Sequence, residues 1–147
     1  MTIIAYKDGV IAADTQTSAG GTIEGHVIKI ARNSQGDLAG WCGEAVYGYA
    51  FLQWFMADHG GTLPDATKTG DPTNTNRAMI VRRDGRVEIY EHKGFSIQEP
   101  GYMAMGSGRD IAFGAMFMGA TAVRAVEAAI AHDTTCGGRV VSLRHDP

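Results

Sequence analysis

The dipeptide Asp8-Gly9 constrains this chain more than any other local feature. It sits between two runs of apolar residues, 2–7 and 10–16, rich in Ile, Val, Ala and Tyr. An Asp-Gly turn of two residues takes positive φ at both positions and folds its flanks into an antiparallel hairpin. The turn also sets the register, because side chains alternate faces with a period of two. Lys7 then pairs with Val10, Ile3 faces Asp14, and Thr2 faces Thr15.

The rest of the chain extends this start. Gly20-Gly21 turns into an apolar run over 27–32. Residues 33–37 turn again, and 38–42 read as a short buried strand. From Gly43 the period becomes helical, with Ala45, Tyr49, Leu52, Phe55 and Met56 on one stripe until Gly60-Gly61 stops it. Residues 62–76, with Pro64 and Pro72, read as a loop. A second Asp-Gly hairpin joins 77–83 to 86–92 around Asp84-Gly85. Short strands over 95–98 and 102–105 lead to Gly106-Ser107-Gly108. Helices over 109–118 and 121–132 follow, and a strand over 139–143 closes the pattern. Strands and helices cluster rather than alternate. The expected class is therefore α+β, an antiparallel sheet layered with helices, and not a doubly wound parallel sheet. Residues 1–147 read as a single domain without linker or repeat.

Composition removes several function classes. A hydrophobic content of 44% with 20% charged residues supports a folded core and excludes gross disorder. A net charge of −3, with scattered Lys and Arg, offers no footprint for nucleic acid or an anionic membrane. No apolar run is long enough to span a bilayer, and the N-terminus lacks a signal-peptide pattern, so a cytoplasmic location is expected. The two cysteines, Cys42 and Cys136, read as free thiols of a reducing compartment. The five histidines have no metal-ligand spacing, so no metal is expected. Gly106-Ser107-Gly108 lacks the third glycine of a dinucleotide fingerprint, and no other cofactor motif is present.

Chemistry points to the first strand. Removal of Met1 exposes Thr2, which then carries a hydroxyl and a free α-amine on one residue. That amine has a pKa near 8, so a neutral fraction is available as a base, and the pairing of a threonine hydroxyl with its own amine is a known nucleophile. Opposite it, Asp14 follows an apolar strand and needs a partner for its charge. Lys29, inside the apolar run 27–31, has the same need. The two are expected to pair.

These residues resemble a family. The run Thr-Ile-Ile-Ala-Tyr-Lys-Asp-Gly-Val-Ile-Ala-Ala-Asp from Thr2, followed by Thr17-Ser18-Ala19-Gly20 and Lys29, is similar to the opening of proteasome β subunits and of the bacterial HslV-type peptidase, which are N-terminal nucleophile hydrolases. Residues 38–45 resemble the family's glycine turn into its first helix. Met105-Gly106-Ser107-Gly108 resembles its Gly-Ser-Gly turn, and residues 133–138 its Asp-x-x-Ser-Gly-Gly turn. The resemblance covers nearly the whole chain. It implies a four-layer αββα sandwich of antiparallel sheets, of N-terminal nucleophile hydrolase type. It implies Thr2 as nucleophile, its amine as base, Lys29 and Asp14 as the pair that eases loss of the hydroxyl proton, and Ser107 and Asp133 as hydrogen-bonding partners around the amine. Gly43 would supply the oxyanion N–H. Thr17, Val27, Trp41 and Ala45 would line the pocket, and Ser18 and Ala45 would offer backbone hydrogen bonds to an extended peptide. The implied function is a threonine-type peptidase or amide hydrolase, assembled into a ring or similar homo-oligomer, in a family where many members work with a partner ATPase.

Three departures from the family pattern stand out. Both arms of the first hairpin are about two residues shorter than in the HslV-type pattern, a symmetric trimming that preserves the pairing of Thr2 with Asp14. Cys136 stands where the family usually has serine, and sulfur is a weaker donor for tuning the amine. If Met1 is retained, the Thr2 nitrogen is an amide and no base. The alternatives are then a non-catalytic scaffold subunit with Met1 in place, or a hydrolase of small-molecule amides.

Overall fold

The computed structural model describes residues 2–67 and 76–147. In it, β1 (Ile3–Lys7) and β2 (Val10–Ala13) form the first hairpin. Asp8 and Gly9 have φ of 50° and 80°, as a two-residue turn of this type requires. Lys7 pairs with Val10 and Ile4 with Ala13, the expected register, and no bulge interrupts the ladder.

The second strand ends earlier than the sequence pattern predicts. Asp14 N–H still donates to the Ile3 carbonyl, but at Thr15 and Gln16 the backbone is captured by a distant turn: both N–H groups donate to the Gly137 carbonyl. The chain resumes as β3 (Gln16–Ala19), turns at Gly20-Gly21, and returns as β4 (Thr22–His26) in a separate two-stranded ribbon. The strand expected over 27–32 is reduced to β5 (Ile30–Arg32). Next come β6 (Leu38–Cys42), α1 (Ala45–Met56), β7 (Arg77–Val81), β8 (Val87–Glu91), β9 (Gly94–Gln98), β10 (Tyr102–Gly106), α2 (Arg109–Phe117), α3 (Ala122–His132) and β11 (Val141–Arg144). Of the loop expected over 62–76, residues 68–75 lie outside the described residues.

The second Asp-Gly hairpin differs from its expected form. Val81 pairs with Val87, Arg82 N–H donates to Arg86 O, and Gly85 N–H donates to Arg82 O. The loop is therefore three residues, 83–85, with positive φ at Gly85 alone. A two-residue turn would shift the register by one and exchange the faces of every side chain. The observed register keeps Met79, Val81, Val87 and Ile89 in the core between the sheets. It also places Arg82 between Asp37 (2.9 Å) and Glu88 (2.7 Å). The Arg82 hydrogen bonds hold the Glu88 carboxyl below the usual carboxylate range against the opposing effect of burial.

Two antiparallel sheets, β10-β1-β2-β11 and β5-β6-β7-β8-β9, face each other. The period of two in β1 assigns each side chain to a layer. Ile4 and Tyr6 point to the opposite sheet, among Leu38, Met79, Ile89 and Met105. Ile3 and Ala5 point outward to Ala112, Met116, Val126 and Ala129 of α2 and α3. On the other sheet Ala39 and Trp41 point outward to Tyr47, Phe51 and Phe55 of α1. The result is an α+β sandwich with helices outside both sheets. Each large core side chain contributes about 1.5–3 kcal/mol of burial. The buried stripe of α1 is Tyr47, Phe51, Leu52 and Phe55. Ala45, Tyr49 and Met56, expected on that stripe, are exposed, because Gly48 lies directly on the Trp41 ring and turns Tyr47, Phe51 and Phe55 into the buried cluster that includes Trp41 and Tyr90.

Candidate active site

The start of β1 is enclosed by the turn after β10. Ile3 pairs with Gly106, which has φ of 104° and whose Cα faces the Thr2 carbonyl so closely that no side chain fits. Glycine is required there for both reasons. Ser107 follows, and its Oγ accepts from Thr2 N–H at 3.3 Å. Gly108 N–H donates to the Thr2 carbonyl at 3.3 Å. Thr2 is only 4% exposed, so its surroundings are fixed by protein rather than by water.

Asp14 and Lys29 meet as expected from their apolar neighbours. Lys29 Nζ lies 2.8 Å from Asp14 Oδ1, and both side chains are buried. Buried charges persist only where further hydrogen bonds satisfy them. Asp14 Oδ1 also accepts from Ile3 N–H (3.2 Å) and Oδ2 from Gly137 N–H (3.0 Å). Lys29 Nζ donates to the Gln16 carbonyl at 2.7 Å, and Trp41 N–H holds the Lys29 carbonyl. The pair thus ties the first hairpin, the β4–β5 connection and the turn at Gly137 to one point, one residue from Thr2.

The turn after α3 supplies a second carboxylate. Asp133 Oδ1 accepts from Thr135 Oγ1–H at 2.6 Å and from Thr135 N–H at 2.8 Å. These bonds hold the Asp133 carboxyl below the usual range. Thr135 Oγ1 in turn lies 2.9 Å from Ser107 Oγ. Asp133 therefore reaches the Thr2 nitrogen through two hydroxyls, Thr135 and Ser107, where the sequence reading had it beside the amine. Cys136 Sγ is 3.6 Å from Ser107 Oγ, and burial pushes its thiol up to about 11. Burial thus favours the neutral thiol over the reactive thiolate.

Gly43 lies just before α1 with φ of 108°. Asn76 packs against it, and Asn76 Oδ1 accepts from Glu44 N–H at 2.8 Å. Gly43 is exposed, and none of the hydrogen bonds among the described residues uses its N–H. A helix start with an available N–H favours negative charge.

The residues expected to bind substrate divide. Thr17 and Ser18 lie half-buried on β3, which among the described residues pairs with β4. Val27 lines a cavity of about 310 Å³ that also touches Asp14, Lys29, His26, Tyr49 and Arg139. Ala45 is exposed on the first turn of α1. Trp41 is 1% exposed and lies under Gly48 of α1, with Nε1–H bonded to the Ile28 carbonyl at 3.1 Å. It belongs to the core beneath α1 rather than to a pocket wall, a correction to the sequence reading. Thr2, Thr17, Ser18, Trp41 and Ala45 do not line the 310 Å³ cavity. Sequence reasoning missed Asn76, Gln16 and Thr135 as site residues. Thr135 had a signal in the run Asp133-Thr134-Thr135, a carboxylate followed by hydroxyls in a turn; Asn76 and Gln16 had none.

No protein-family model and no curated protein matches the chain. Solved structures do. Thiobacillus denitrificans BPH in complex with epoxomicin aligns with a TM-score of 0.67 and 21% identity, over 99% of this chain and 99% of that one. Thiobacillus denitrificans BPH aligns with a TM-score of 0.65 and 22% identity, over 99% of this chain and 98% of that one. The chain shares with these proteins a fold along its whole length.

Proposed function

We propose that this chain is a threonine-type peptidase or amide hydrolase of the proteasome β-subunit and HslV-type class, with Thr2 as its N-terminal nucleophile. One observation carries the reading. At the start of β1, a nitrogen bonded to Ser107 sits one residue from the nitrogen of Ile3, which bonds the buried Asp14–Lys29 pair. Asp14 holds the Lys29 ammonium and also accepts from Ile3 N–H, the residue after Thr2, and charges held in buried surroundings cluster at functional sites.

The reading requires Thr2 to be the first residue of the mature chain. Its amine then removes the hydroxyl proton as Oγ attacks the carbonyl carbon of the substrate. The Lys29 ammonium, balanced by Asp14, favours the developing alkoxide, and Gly43 N–H supports the oxyanion. The tetrahedral adduct collapses with cleavage of the C–N bond, and the leaving nitrogen takes the proton from the Thr2 ammonium. Water, deprotonated by the same amine, then hydrolyses the Thr2 ester and releases the acid. An extended peptide would add along the edge of β3 at Thr17 and Ser18. The apolar side chains Ile28, Tyr49 and Val141, exposed around the 310 Å³ cavity, support assembly into a homo-oligomer as part of the same reading. Cys42 and Cys136 are buried and neither forms a disulfide, which fits a reducing, cytoplasmic setting. Among the described residues no helix is long and apolar enough to cross a membrane.

The structural neighbour in complex with epoxomicin suggests the probe. Intact mass should show loss of Met1 in the native host, and epoxomicin, an epoxyketone, should add one equivalent at Thr2. Thr2→Ala should abolish labelling and amide hydrolysis without changing the assembly or the circular dichroism spectrum. Retention of Met1 overturns the hydrolase reading and leaves the scaffold. Hydrolysis that survives in Thr2→Ala moves the chemistry elsewhere.

A further inference from the structure

The hydrogen bonds from Asp133 to Thr2 have only one consistent direction. Thr135 has a single hydroxyl proton, and at 2.6 Å from a carboxylate oxygen that proton is donated to Asp133. Thr135 Oγ1 must then accept at its 2.9 Å contact with Ser107, so the Ser107 proton points at Thr135. The other acceptor in reach of Ser107, the Thr2 carbonyl, is longer at 3.2 Å and already receives Gly108 N–H. What Ser107 offers the Thr2 nitrogen is a lone pair.

We infer that Thr135 is a positioning residue, which turns the Ser107 hydroxyl so that it accepts from the Thr2 amine and does not donate to it. The inference rests on the reading of Thr2 as nucleophile. A general base needs its own lone pair unoccupied, and a Ser107 proton directed at the amine would occupy it. Cys136, where the family resemblance leads one to expect a serine, stands at 3.6 Å from Ser107 and is a weak donor and acceptor. Thr135 provides the hydroxyl that Cys136 lacks. The ionisable groups on the elements around the Thr2 end are Asp14 after β2, Lys29 before β5, Arg109 at the start of α2, and Asp133 and Cys136 after α3. All but Asp133 keep their contacts when Thr135 is changed.

The test follows the rate of epoxomicin labelling at Thr2 in Met1-processed protein from pH 5 to 9. The chain ending in a carboxylate favours the ammonium, so breaking it lowers the pKa of the amine. Thr135→Val should slow labelling about tenfold at its plateau and move the acid-side midpoint down by about one pH unit. Thr135→Ser, which restores the hydroxyl, should return both to wild type. A wild-type midpoint in Thr135→Val, or failure of Thr135→Ser to rescue, overturns the inference. If Thr135→Val does not fold, Asp133→Asn must move the midpoint in the same direction, and an unchanged midpoint there overturns it. Absence of Thr2 labelling in processed wild type overturns instead the nucleophile reading on which the inference stands.

Discussion

Lys29→Met tests the buried pair at the centre of the site. Methionine keeps most of the length and apolar volume of the lysine stem, so the change removes a charge and three donors rather than opening a cavity. It leaves the Asp14 carboxylate buried with the N–H groups of Ile3 and Gly137 as donors, and it leaves the Gln16 carbonyl without its 2.7 Å donor. Removing one partner of a buried ion pair costs about 3–5 kcal/mol. The two remaining N–H bonds to Asp14 put the expected loss at the low end, about 3 kcal/mol, or about 10 °C in Tm for a chain of this size. Urea unfolding followed by circular dichroism, at pH 7 and one fixed protomer concentration, reads this directly. The double variant Asp14→Asn/Lys29→Met removes the stranded charge and keeps one acceptor, so it should be more stable than Lys29→Met alone. A loss below about 1 kcal/mol in the single variant would refute the burial argument, as would a double variant whose loss is the sum of the two singles, since partners in contact are not additive.

Gly106→Ala should destabilise the fold by about 1–3 kcal/mol, because the residue holds φ of 104° against the Thr2 carbonyl; the same denaturation series checks it, and labelling at Thr2 should fall with it. Burial raises the thiols of both Cys42 and Cys136 to about 11. The folded state therefore holds protons that the unfolded chain releases above about pH 8.5. Stability from these groups is complete below that pH and is lost as the pH rises toward 11, which urea midpoints measured across that range should record, and folded protein should react with maleimide at pH 7 far more slowly than urea-unfolded protein.

The parts of this site that could be read from sequence are those where physics leaves no choice. A charge inside an apolar strand must find a partner, and so Asp14 and Lys29 announced each other across 15 residues. Asp8-Gly9 fixed the register of the first hairpin because two positive φ angles admit few residues. The ribbon of β3 and β4 escaped for the opposite reason. It is largely exposed, so neither strand carries the alternation that burial imposes, and the break before it depends on the Gly137 carbonyl more than 100 residues away. Asp84-Gly85 misled because the dipeptide serves two loop lengths, and only the packing of Val81 and Val87 between the sheets chooses the longer. Trp41 was assigned to a pocket wall, but on a strand buried on both faces an aromatic residue is claimed by whichever helix packs there. Thr135 shows the same limit at the level of hydrogen bonds. A hydroxyl is at ease in water or in protein, so nothing in its sequence position compels a partner. Its importance follows only from the 2.6 Å and 2.9 Å contacts on either side, where the Thr135 proton, donated to Asp133, leaves Thr135 Oγ1 to accept from Ser107 and so sets the direction of the bonds between that carboxylate and Thr2.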